Sequence, residues 1–211
     1  MAKVKGVKEK LHLPIYDAFF VPGAKNGTDA RRFEETMTDP RVIRFFVDVQ
    51  NKTKLETNLQ AAGVLPSLNT FEARAMRVVT SSVTQRRSPT SDGEVPDPTN
   101  LNDAEFLAAL IYNSVTTLLV GEKVMIEMPT YWFPAGAGVS PGGGSTTAVT
   151  NHGEPDPMAT FRFAEPVLIE PQQNFRVEML FPQGVPDLVR DAIGPLRIWV
   201  VLDGYLTRDV Q

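Results

Sequence analysis

The stretch FRVEMLF, residues 175–181, alternates: Phe175, Val177, Met179 and Phe181 fall on one side, and Arg176 and Glu178, followed by Leu180, on the other. A period of two puts successive side chains on opposite faces of an extended chain, so these residues predict a strand with one face in the core and one in water. The run LRIWVVL, residues 196–202, is apolar at both parities and predicts a strand that is central or covered on both faces.

Working back from these two strands, the same logic finds more. Thr160 to Ala164 and Val167 to Ile169 favour β structure, and so do Ser114 to Val120 and Lys123 to Met128, which Gly121-Glu122 divides into a hairpin. Phe71, Ala73, Ala75 and Val79 share one side of a run that puts Glu72 and Arg74 opposite. Ile43, Phe45, Val47 and Val49 do the same against Arg44 and Asp48, and KTKLETNLQAAGVLPSLN between these two runs is turn-rich and irregular. Two short helices are expected. One covers Ala30 to Met37 and is ended by Asp39-Pro40; the other carries Phe106, Leu107, Leu110 and Ile111 behind a capping box of Asn102 and Glu105.

The count is about eight strands with one or two short helices in the connections. This predicts an all-β fold, a single jelly-roll β-sandwich with antiparallel strands in two sheets. Residues 41–211 form the sandwich and residues 1–40 an N-terminal arm and lead-in segment. Two long loops interrupt the sandwich. Residues 81–99 are polar and hold Pro89, Pro96 and Pro98, and residues 129–157 include PAGAGVSPGGGS, too rich in glycine and proline to bury a core of its own. Loops of that length inside a domain are usually functional or disordered.

The composition is that of a folded protein, with 42% hydrophobic and 22% charged residues. A net charge of −4 gives no field that attracts nucleic acid, so sequence-specific binding to it is not expected. There is no cysteine, and the basic start MAKVKGVKEK is not followed by the apolar stretch of a secretory signal, so synthesis in the cytoplasm is expected. Lys3, Lys5, Lys8 and Lys10 make that start an arm suited to a neighbouring subunit or an anionic lipid surface.

Catalytic chemistry finds few candidates. The two histidines, His12 and His152, lack the spaced partners that a catalytic metal needs, and with no cysteine and two remote histidines a nucleophilic triad is not expected. No cofactor and no enzymatic activity are expected. The aromatic cluster Tyr131, Trp132 and Phe133 beside the long loop has the side chains of a contact surface, for a sugar or for a protein, or of an edge of the core. The tail LDGYLTRDVQ, with Tyr205, Arg208 and Gln211 beyond a strand end at Asp203-Gly204, is suited to pairing with a neighbour.

Taken together, KTKLETNLQAAGVLP, FEARAMRVV, EKVMIEMPTYWFPAGAGV, the GEPDP turn, FRFAEPVLIEPQQNFRVEMLF and LRIWVVLDGYLTRDVQ form an order of segments with a counterpart. From about Ile43 to Gln211 the chain resembles the single jelly-roll capsid proteins of tailless icosahedral double-stranded DNA viruses of bacteria and archaea, whose shells enclose a membrane. The resemblance implies a virion location and a capsid subunit that packs against copies of itself and other capsid proteins, with the arm within reach of the internal membrane. The alternative is a carbohydrate- or receptor-binding sandwich of a virion, a minor capsid, spike or decoration protein.

Overall fold

The computed structural model describes residues 8–22, 32–80, 109–134, 138–140, 149–151, 160–191 and 196–209. Its strands are β1 (Lys8–His12), β2 (Ile15–Val21), β3 (Val42–Phe45), β4 (Thr70–Thr80), β5 (Val115–Val120), β6 (Lys123–Pro129), β7 (Gly138–Ser140), β8 (Val149–Asn151), β9 (Arg162–Ile169), β10 (Phe175–Leu180) and β11 (Leu196–Asp209). Single-turn helices α1 (Phe33–Thr36) and α2 (Asp187–Arg190) sit in connections.

The two strands with the clearest patterns lie inside the two sheets. β10 runs between β3 and β5, with β6 beyond β5. β11 runs between β4 on one side and β1 and β2 on the other, with β9 beyond β4. All these pairings are antiparallel, and β7 and β8 form a separate ribbon. Ile43, Phe45, Leu118, Phe175, Val177 and Met179 of one sheet join Phe71, Met76, Ile198, Val200 and Leu202 of the other in one hydrophobic cluster. The fold is therefore all-β, with two antiparallel sheets sharing a core.

The nesting of the pairs follows from these registers. Count β1 and β2 as one strand, since both lie along the same edge of β11, and set the β7–β8 ribbon aside. The first strand then pairs with the last (β2 with β11), the second with the seventh (β3 with β10), the third with the sixth (β4 with β9) and the fourth with the fifth (β5 with β6). Successive pairs fall in alternate sheets.

Several expectations need correction. The strand expected through Val49 ends at Phe45, because Phe46 takes a positive φ of 69° and stays buried while Val47 is exposed. The Asp17 carboxylate holds that turn by accepting the Phe46 N–H at 2.7 Å. In β4 the alternation changes phase. Arg74 is an extra residue facing the step between Asp203 and Gly204 of β11, so Met76 and Val78 point inward and Val79, expected beside Phe71, does not.

The ends of the chain differ most from expectation. β11 does not stop at Asp203-Gly204 but continues to Asp209, and its last residues pair with β1 from Lys8↔Asp209 to His12↔Tyr205. The tail thus finds its partner within the chain, and the segment up to residue 40 supplies strands to the sandwich rather than preceding it. The two expected runs merge into one strand, β9, which starts at Arg162 rather than Thr160, with Pro166 tolerated because β9 is a sheet edge among the described residues. Of the first expected helix the four residues of α1 are present, and of the second only 109–112 can be described, Asn102 and Glu105 lying outside the described residues. So does the 81–99 loop.

Candidate functional site

The aromatic cluster is set by a buried hydroxyl knot. Thr130, fully buried, opens a 3-10 turn, Thr130–Trp132, directly after β6. Its backbone N–H donates to the Ser114 carbonyl at 2.9 Å. Its hydroxyl meets those of Ser114 at 2.7 Å and Thr116 at 2.8 Å, and Ser114 Oγ also lies 2.7 Å from the Leu110 carbonyl. Buried polar groups are costly unless paired, so this network fixes one conformation of the turn.

The turn then decides where each ring points. Phe133 is fully buried, its carbonyl accepting the Val78 N–H at 3.0 Å, while Tyr131 and Trp132 are each 48% exposed. Phe133, expected on the contact surface, is therefore a core residue, because its backbone is tied to β4. Tyr131 and Trp132 lie with ring centroids 6.0 Å apart and planes 29° from parallel. Tyr112, 68% exposed at the end of its helical turn, extends the row at 5.8 Å from Tyr131, and Phe161 continues it at 6.3 Å from Trp132.

Beyond Phe161 the row opens into a cleft of about 490 Å³ between β6 and β9, lined by Met125, Met128, Phe161 and Phe163 and also by Glu127 and Glu165. Both strands are sheet edges, with one side unpaired among the described residues. Val124 on β6 and Leu168 on β9 are also exposed. Stacking, apolar contact and strand addition are the interactions this end of the molecule offers.

Tyr205 and Arg208, expected at the contact surface, are engaged within the chain. Tyr205 lies beneath Lys10 Nζ at 4.8 Å and Arg74 at 4.9 Å, with the His12 ring 5.3 Å away. Arg208 pairs with Glu9, and Lys10 Nζ lies 2.6 Å from Glu72. The hydrogen bonds from Lys10 and Arg74 hold the Glu72 carboxyl below its ordinary value. Lys8 is exposed on β1, while Lys3, Lys5 and Gln211 lie outside the described residues. His12 Nε2 sits 2.8 Å from Asp203, and His152 is outside the described residues.

Tyr112 and Phe161 were missed from sequence. Tyr112 follows the apolar stripe of Phe106, Leu107, Leu110 and Ile111 out of phase, a signal for an outward aromatic ring. Phe161 alternates within a β run and gives no such signal.

Among the described residues no three His, Cys, Asp or Glu side chains gather as a metal site, and no helix is long and apolar enough to cross a membrane. Comparison with protein-family models, with curated proteins and with solved structures gave no match.

Proposed function

We propose that this chain is a jelly-roll subunit of a virion shell, assembling with copies of itself and with other capsid proteins after synthesis in the host cytoplasm. The observation that carries the reading is the nested pairing. One long antiparallel hairpin rolled into two sheets, the jelly-roll path of many viral capsid domains, leads to first-with-last, second-with-seventh, third-with-sixth and fourth-with-fifth partners in alternating sheets. A fold hosts many functions, so the surface has to favour one of them. The edges of β6 and β9, unpaired among the described residues, with Tyr112, Tyr131 and Trp132 exposed beside a cleft that holds Met125, Met128, Phe161 and Phe163, form the kind of patch that marks a protein interface.

The test is sedimentation of the purified chain over a wide concentration range. Multimers are expected that Trp132→Ala and Tyr131→Ala weaken together, without loss of fold by circular dichroism. A monomer at every concentration, alone and with the source's other structural proteins, contradicts the proposal. A second reading, a glycan- or receptor-binding module of a virion, is favoured by the exposed, nearly parallel faces of Tyr131 and Trp132. It predicts glycan binding that Trp132→Ala abolishes in a chain that stays monomeric.

A further inference from the structure

On the β11 sheet, reaching to Phe163, Ala164 and Pro166 of β9, the β4 bulge leaves a groove of about 610 Å³. The bulge lifts Arg74 out of the regular pleat, and Gly204 lets β11 approach β4 so closely that a Cβ there would lie 2.1 Å from the Glu72 carbonyl oxygen. Arg74, Arg77 and Arg162 line the groove from β4 and β9, while His12, Asp203 and Tyr205 line it from β1 and β11.

The charge in this groove is opposite to that of the whole chain. With Lys10 and Glu72 included, four cations face two carboxylates, in a protein whose net charge is −4. Both carboxylates already have partners, Glu72 in Lys10 and Arg74 and Asp203 in His12. Among the described residues neither Arg77 nor Arg162 has an ion-pair partner, and the Arg77 Nε is buried with no hydrogen-bond acceptor. The guanidinium charges of Arg77 and Arg162 are thus not balanced by a carboxylate among the described residues, and an anion in the groove would balance them.

We propose that this groove binds the phosphate group of a small ligand, either a free phosphomonoester or a lipid headgroup. Guanidinium forks suit phosphate oxygens in paired hydrogen bonds, and the Tyr205 ring offers a wall for the carbon frame behind the phosphate. The volume lies within the range of small-molecule sites. The inference does not depend on the assembly reading: its cations, Arg74, Arg77 and Arg162, take no part in that contact surface, although Phe163, Ala164 and Pro166 line both the groove and the cleft.

Calorimetric titration of the full chain with glycerol 3-phosphate, and flotation with phosphatidylcholine vesicles with and without phosphatidic acid, test the proposal. Saturable binding that weakens with added salt is expected in at least one arm. Binding of glycerol 3-phosphate assigns a free ester, and binding of the phosphatidic acid vesicles alone assigns a headgroup. The exposed Arg162→Gln change, and its combination with Arg77→Met, are expected to weaken binding at least about tenfold, a loss of about 1.4 kcal/mol. Arg176→Gln on the other sheet, with the same change in charge, leaves it intact. No binding in either arm, full binding by Arg162→Gln, or equal loss in Arg176→Gln overturns the proposal. If the double variant fails to fold, Arg162→Gln decides.

Discussion

Asp17 is a carboxylate with no exposure, and it joins β2 to the turn after β3. Lys52 Nζ lies 2.9 Å from both its oxygens, and burial pushes its carboxyl up against the opposing pull of Lys52 and the Phe46 N–H. Removing one member of a buried pair leaves the other without a partner, so Asp17→Ala is expected to cost about 3 kcal/mol, read as a lower urea midpoint. Asp17→Asn keeps an acceptor for Phe46 and is expected to cost less. Glu56 behaves in the opposite sense. Burial raises its carboxyl, but the Thr53 N–H and hydroxyl together with Arg197 outweigh that, and it ends below the ordinary value. A carboxyl lowered on folding stabilises the protein fully above its unfolded value of about 4.3, and that contribution is lost as pH falls through the folded value. The melting temperature of Glu56→Gln is therefore expected to fall less steeply than that of the parent between neutral pH and the acid range. Gly204→Ala, with its added methyl driven against the Glu72 carbonyl, is expected to cost about 3 kcal/mol or to prevent folding.

At the scale of elements, β11 is the strand on which one sheet is built. Its first half pairs with β2 and its second half with β1, while β4 runs along the other edge. Deleting residues 1–12 is thus expected to speed hydrogen exchange at Leu206 and Arg208 while Ile198 to Leu202 stay protected by β2; uniform protection along β11 would contradict the pairing. The parts of this architecture that could be read from sequence were those with an unbroken period. FRVEMLF became β10 with Phe175, Val177 and Met179 buried, and the Gly121 turn, at φ 61°, joined β5 to β6 as expected. The misreadings share a physical cause. Phe46, an aromatic residue at positive φ, broke a period that residue types alone would continue, and the Arg74 bulge shifted the phase of β4 without a glycine or proline in that strand to announce it. β1 was hidden for a different reason: its lysines read as an arm for a neighbouring subunit or a lipid surface, although an edge strand tolerates charged side chains. Of the aromatic site, Tyr131 and Trp132 were legible as a cluster, but their separation from Phe133 depends on the hydroxyl knot at Thr130, which joins residues far apart in sequence.

For the whole molecule, the sandwich sets two chemically different surfaces side by side across β9. The aromatic cleft lies between β6 and β9, which are sheet edges among the described residues, and the arginine groove lies on the sheet of β4, β9 and β11, with Phe163, Ala164 and Pro166 common to both. The assembly reading assigns contact between copies to the first, and a stable interface there is expected to bury more than about 1,000 Å². Electron microscopy of the source assembly tests this most directly. The account predicts a regular lattice of two-sheet sandwiches in which density from a neighbouring subunit covers Tyr131 and Trp132. Particles whose lattice lacks this chain, or in which those two rings face open solvent at every position, would contradict it.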